Sequence, residues 1–258
     1  YKKERERDEL QQSAAGRTIM TTEPKFIPNE AVEITVGNNI KLKTRLVDCV
    51  GYLVNNAIGY LEDDMPRMVK TPWSDEEIPF ERAAEIGTKK VIEEHSTIGI
   101  LVTTDGSITD IPREDYIDAE ERVVRELQEL NKPFIIVLNS DDCFSDATKA
   151  LARKLEDKYG VPVMPTNCAE LNLDDINAIF GKMLYEFPIE RLNINFPRWV
   201  DGLCDDHWLK KELYSEIKDA FQNVRILKQV DSSIAKLQNT QIITSSVLSE
   251  VTLGTRMC

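Results

Sequence analysis

The chain has 258 residues, 41% of them apolar and 30% charged, which is the composition of a globular protein with enough length to bury a sizeable core. Its formal charge of −13 argues against nucleic acid and against anionic lipid as main partners, since both are met with clustered Lys and Arg. No apolar run approaches the roughly 18 residues of a spanning helix. Five cysteines at wide spacings and only two histidines, His95 and His207, argue for reduced thiols and against a zinc site or a Ser-His-Asp triad.

Residues 1–15 are a solvated charge run, and the stretch Gly16–Phe26, closed by Pro24 and Pro28, predicts a loop. Ala31–Val36 and Ile40–Val47 alternate apolar and polar residues around Gly37-Asn38-Asn39, which predicts a β-hairpin. Its second strand runs into Asp48-Cys49-Val50-Gly51. Residues 52–97 form an insertion punctuated by Pro66, Pro72 and Pro79, with a helix over Phe80–His95.

A repeating pattern follows. Strands are expected at Ile98–Val102, Phe134–Leu138 and Val161–Met164. Helices are expected at Asp115–Leu130, with Tyr116, Ala119, Val123, Leu127 and Leu130 on its apolar face, then after a Ser145 cap, and at Leu173–Phe187. Strand and helix in alternation mean parallel strands joined by right-handed crossovers, hence an α/β layered domain. Trp208–Val230 reads as one long helix, and residues 231–258 as polar and β-branched, the start of another domain. The expected division is the layered domain over 1–197, then 198–258 with the long helix and the start of a further domain.

The order hairpin, D-x-x-G, insertion, then β-α-β-α-β-α is that of a GTPase-like (TRAFAC-type) P-loop NTPase. There, Asp48 at a strand end would hold Mg²⁺, and the backbone N–H of Gly51 would reach the γ-phosphate of the nucleotide. Thr21 and Thr22 occupy the place of the threonine loop that meets metal and γ-phosphate, with Thr22 and Asp48 as the metal-side pair. Asn139-Ser140-Asp141-Asp142 stands where a guanine-reading N-K-x-D would lie. It keeps Asn139 and an acid, but Ser140 replaces the lysine, so ATP is at least as plausible as GTP, and Asn139 as a plain strand cap stays open. No G-x-x-x-x-G-K-[ST] exists in the chain. The layered sheet is therefore expected to be incomplete, lacking its first strand and P-loop, and the segment by itself to fold poorly and bind no nucleotide.

Longer strings carry a resemblance. Ala14-Ala15-Gly16-Arg17-Thr18-Ile19-Met20-Thr21-Thr22-Glu23-Pro24-Lys25-Phe26, Arg45-Leu46-Val47-Asp48-Cys49-Val50-Gly51-Tyr52, Ile78-Pro79-Phe80, Glu94-His95-Ser96-Thr97-Ile98-Gly99, Thr103-Thr104-Asp105-Gly106 and His207-Trp208-Leu209 resemble, in order, the stage IV sporulation protein A family. The resemblance implies an ATP-hydrolysing morphogenetic protein of endospore formers. It implies a self-polymer in the mother-cell cytoplasm at the outer forespore membrane surface, serving as the base layer for the spore coat. Implied partners are further copies of itself, a small amphipathic membrane-bound sporulation peptide and spore coat proteins, the latter two met through regions mostly absent here. Thr21 and Thr22 match the family's sensor threonines, and Asp48 its Walker B acid. Implied cofactors are ATP and Mg²⁺. Two other classes stay open: a regulatory GTPase-like switch, and a structural assembly module with an inactive nucleotide site. Arg67 beside Pro66 reads as a surface arginine rather than a charge-stabilising finger.

Overall fold

The computed structural model describes residues 25–36, 40–49, 51–57, 61–62, 65–71, 74–238, 240, 242–249 and 251. Thr21, Thr22 and the Gly37–Asn39 turn lie outside them. The alternating segments do form strands, β1 (Lys25–Val36) and β2 (Ile40–Asp48), paired in a two-stranded sheet. β1 starts earlier than expected and runs through Pro28, which the sequence assigns to a loop. A two-stranded sheet has open edges, where a missing N–H costs no ladder bond.

The insertion is more ordered than its prolines suggest. β3 (Leu61–Glu62) pairs with β4 (Met65–Pro66), and β5 (Met68–Thr71) with β6 (Ser74–Pro79), both antiparallel. Helix α1 (Phe80–Lys90) follows and passes into a π-helical turn over Val91–His95, covering the predicted 80–95. Phe80 is buried, donates its N–H to the Arg67 carbonyl at 2.7 Å, and lies under the Arg67 guanidinium, 5.5 Å from ring centre to carbon. Arg67 thus packs on a local aromatic.

The repeating part gives β7 (Gly99–Thr104), α2 (Ile117–Glu129), β8 (Phe134–Asn139), α3 (Asp146–Tyr159), β9 (Val163–Thr166) and α4 (Leu173–Tyr185). The three strands form one parallel sheet in the order β7-β8-β9. β9 lies two residues beyond its predicted start. β8 is buried from Phe134 to Leu138, as a central parallel strand covered on both faces must be. Phe134, Ile136 and Leu138 pack with Ile92, Val124, Leu127, Ala152, Leu155 and Val163 in one apolar cluster. Among the described residues β2 pairs with β1 and not with β7.

Ser145 caps α3 as predicted, accepting the Thr148 N–H at 3.1 Å, and Gly160 ends it in the left-handed region at φ 70°. The buried face of α2 is turned by one residue from expectation: Glu120, Val124 and Leu127 face inward, while Leu130 is 40% exposed. The cause is Glu120, whose carboxylate is drawn inside by three donors. Arg113 reaches it at 2.6 Å, the Thr103 hydroxyl at 2.6 Å and the Tyr159 hydroxyl at 2.8 Å.

The chain divides into two compact units, the second holding residues 35–42 and 180–258. In that unit Phe180, Met183 and Leu184 are buried, and Pro188 bridges to Ile226. Helices α5 (Arg198–Asp201), α6 (Trp208–Phe221) and α7 (Lys228–Leu237) follow. The single helix expected over 208–230 is therefore two. The Gln229 side chain accepts the N–H groups of Arg225 at 2.6 Å and Ile226 at 3.3 Å, and Ile189 N–H bonds the Arg225 carbonyl at 2.8 Å. These bonds hold residues 222–227 as a non-helical bend. The apolar period carries across it because both helices bury a stripe, Leu213 on one and Val230 and Leu237 on the other. Residues 231–237, read as polar and β-branched at the start of another domain, complete α7.

Candidate functional site

Open parallel sheets present their ligand groups beyond the carboxyl ends of the strands. The register sets Thr104 beside Asn139 and Asn139 beside Thr166, so β7, β8 and β9 end level with one another. The loops that leave these ends are tied together by polar bonds.

Asn139 stands at the centre. Its carbonyl accepts the Asp105 N–H at 3.3 Å, and its side-chain oxygen accepts the Cys168 N–H at 2.9 Å. One residue thereby links the exits of all three strands. Ser140 follows, 1% exposed, with its N–H on the Thr166 carbonyl at 3.1 Å and its hydroxyl 3.3 Å from that of Thr148. A buried, short, hydroxyl-bearing residue fills the position where a guanine-reading lysine would need to extend. Asp142 accepts the Phe144 N–H at 3.1 Å, an Asx-type turn, and Phe144 is 80% exposed.

Asp105 is the residue of these strand exits whose bonds sequence reasoning missed. Its Oδ1 accepts the N–H and hydroxyl of Ser107 at 2.9 and 2.6 Å, and its Oδ2 accepts the Thr148 hydroxyl at 3.2 Å. The Ser107 hydroxyl oxygen in turn accepts the Asp141 N–H at 2.9 Å. Burial pushes the Asp105 carboxyl upward, but the donors from Ser107, Ser140 and Thr148 outweigh it and hold the group below its ordinary range. The signal was present: an aspartate followed by glycine directly after a buried strand is a typical Asx-turn at a sheet exit.

Asp48 lies at the end of β2 and is exposed. Gly51 follows at φ +80°, with nothing within 4 Å of the place a Cβ would take. Between them the Cys49 thiol is pushed up by burial. Thr21 and Thr22 are not among the described residues, so the structure places Asp48, Gly51 and Asn139 only. Asp48 and Gly51 occur on the β2 exit, and Asn139 on the β8 exit.

Among the described residues no cluster of three or more His, Cys, Asp or Glu is arranged to hold a metal ion. Mg²⁺ in phosphoryl-transfer sites takes one or two carboxylates and completes its shell with phosphate oxygens and water. A single exposed carboxylate at a strand end, such as that of Asp48, fits that chemistry. No described helix is long and apolar enough to cross a membrane.

A mixed α/β unit with a three-stranded parallel sheet and polar strand exits is consistent with a nucleotide-binding domain. The chain belongs to the stage IV sporulation protein A family: residues 1–188 match the model of its ATPase domain and residues 189–258 that of its middle domain. It is 46% identical over 250 residues to stage IV sporulation protein A of Bacillus subtilis (strain 168), covering 97% of this chain and 51% of that protein. The Clostridioides difficile (strain 630) protein is 45% identical over 254 residues, covering 98% and 52%. That of Bacillus anthracis is 45% identical over 252 residues, covering 98% and 51%. The chain thus spans about half the length of the curated relatives it matches. No solved structure matches it.

Proposed function

We propose that the protein of which this chain is part hydrolyses ATP with Mg²⁺, and that hydrolysis controls its polymerisation as the base layer of the spore coat at the forespore surface. The sporulation setting and the ATPase domain follow from family membership. The observation that supports the nucleotide site within that frame is the sequence of exits. β2 delivers an exposed Asp48, then a left-handed Gly51, ahead of a parallel sheet whose last strands end in a bonded polar platform.

In this reading Asp48, with Thr22, would hold Mg²⁺, which would supply neutralisation of phosphate charge. The Gly51 N–H donates to the terminal phosphate, and its missing side chain leaves room for close approach. Thr21 belongs to the loop that closes over that phosphate. Asn139 lies on the base side. Release of the threonine loop after hydrolysis changes the surface offered to a second copy, which couples turnover to assembly. Ser140, buried and bonded to Thr148 and to the Thr166 carbonyl, favours an adenine nucleotide over a guanine one. The surface is mother-cell-facing, and the coat proteins and the amphipathic membrane peptide are partners of the whole protein.

The test uses the full-length protein. Asp48→Ala, and Thr21→Ala with Thr22→Ala, are each expected to lower phosphate release by ~100-fold. Filament formation in the presence of ATP should fall in parallel. Phosphate release at the unchanged rate would remove these residues from the site, and normal filaments without turnover would make the protein a structural module.

A further inference from the structure

The chain that leaves Gly51 is not loose, and it is not held by the apolar core. Tyr52 is half-buried and outside the core cluster. Its hydroxyl donates a short hydrogen bond to Glu126 of α2. Its ring lies under the Arg122 guanidinium, 3.9 Å from ring centre to carbon. Arg122 is itself fixed twice, by Glu85 of α1 and by Glu126, the latter at 3.3 Å. A second tie lies further along. Asn56, at φ 60°, donates from its amide to Asp115 at 2.7 Å, just ahead of α2, and Ala57 is buried behind it.

Two polar anchors therefore pin residues 52–56, one to α2 and one to the 3-10 turn just ahead of it, and the first follows directly after the residue read as a phosphate donor. A tyrosine serves this purpose where a leucine would not. It combines a carboxylate-directed hydroxyl with a π-face for a cation, and both can be broken and remade without opening the core.

We propose that Tyr52 is a positioning residue for the phosphate side of the site: clamped between Arg122 and Glu126, it fixes the segment that carries Gly51 and Asp48 and ties their placement to α2. The proposal rests on the reading of Asp48 and Gly51 given above. It adds a route by which an event at the phosphates reaches a helix, since any shift of Gly51 must pull on Tyr52 and through it on Arg122, Glu85 and α1.

The experiment uses full-length protein and two readouts: backbone amide exchange over residues 49–57, and ATP turnover separated into kcat and nucleotide Kd. In Tyr52→Ala the exchange of 51–57 is expected to rise ~10-fold or more, while Phe134–Asn139 stay protected. Turnover should fall ~10-fold at saturating ATP, with Kd changed less than about threefold, because the defect is in placement and not in binding. Tyr52→Phe, which keeps the ring and loses the donor, should lie between, and Arg122→Met should reproduce Tyr52→Ala. Exchange over 51–57 that is unchanged in Tyr52→Ala overturns the clamp. Faster exchange with undiminished kcat overturns the positioning role. Failure of the parent reading is seen separately: if Asp48→Ala leaves wild-type turnover intact, the phosphate assignment is lost and the proposal with it, whatever the exchange shows.

Discussion

The side-chain oxygen of Asn139, at the end of β8, accepts the backbone N–H of Cys168, beyond the end of β9, at 2.9 Å. The bond gives the oxygen end of the carboxamide a structural partner and leaves the role of the nitrogen end to experiment. Asn139→Ala removes the acceptor and is expected to cost about 1–2 kcal/mol in urea unfolding. Asn139→Asp keeps an acceptor for Cys168 and should stay within about 0.5 kcal/mol of the wild type. If the amide nitrogen serves the base, Asn139→Asp lowers nucleotide affinity while stability holds. Unchanged affinity in that variant would leave Asn139 as a strand clamp alone.

Asp105 gives the platform a dependence on pH. Its carboxyl is held below the ordinary value of 3.8 by donors from Ser107, Ser140 and Thr148, against the upward push of burial. A depressed folded-state value means that the ionised form contributes stability above 3.8, and that this contribution is lost as pH falls through the folded value. Acid titration of unfolding should therefore show the wild type losing stability below 3.8 relative to Asp105→Asn, which has no proton to take up. At neutral pH Asp105→Asn should be less stable by about 1–3 kcal/mol, since an amide cannot accept at both oxygens. Equal stability of the two at neutral pH would show that the Ser107 and Thr148 bonds carry no net weight.

The buried carboxylate of Glu120 is costly to leave unpaired. Its side chain is 2% exposed, and it is answered by Arg113, Thr103 and Tyr159. Arg113→Ala strands it, and the expected loss is about 3–5 kcal/mol by denaturant unfolding. Glu120→Gln together with Arg113→Met removes both charges and should recover a large part of that loss. The Tyr159 hydroxyl is pushed up to about 12, by burial first and then by its bond to Glu120. The sign follows from a raised folded value: the contribution is whole below 10 and falls away as pH climbs from 10 towards 12. Tyr159→Phe should flatten that alkaline slope in a urea-midpoint series.

The parallel sheet was legible because β8 is apolar without interruption and the neighbouring helices carry a period of their own. The cap at Ser145 and the Asp48–Gly51 exit were legible for local reasons, a hydroxyl before a helix and a glycine after a strand. The face of α2 was not, because Glu120 counts as a polar position by any hydropathy rule. Only the arrival of Arg113 and Tyr159, from either side in sequence, makes its burial possible. The break between α6 and α7 was hidden in the same way, since Gln229 reaches back to Arg225 and Ile226 across a stretch whose apolar spacing never falters. Asp105 was visible as a turn, but its bond to Thr148 spans a helix start that sequence spacing does not reveal. The resemblance of long strings carried the family. The links between exits are long-range hydrogen bonds, and no local pattern predicts those.

Lys132 shows how such a link acts on stability. Its ammonium, in the turn before β8, donates to the carbonyls of Ile92, of Glu93 at 2.9 Å and of Ser96 at 2.7 Å. These are carbonyls at the end of the π-helical turn, where the helix has run out of its own N–H groups. A lysine is suited to this place because its three donors diverge and its positive charge meets the negative end of the helix dipole. The same side chain fastens the end of the α1 segment to the start of the central strand, so the bond joins two parts of the apolar cluster through Ile92 and Phe134. Lys132→Met keeps the stem and removes the donors, and the expected loss is about 2 kcal/mol in thermal or urea unfolding. Lys132→Arg keeps the charge, but its planar fork cannot reach three diverging carbonyls, so it should restore only part of the loss. Amide exchange over residues 91–98 should rise in Lys132→Met before exchange in β8 does. A methionine variant as stable as the wild type would show that water satisfies the three carbonyls equally well.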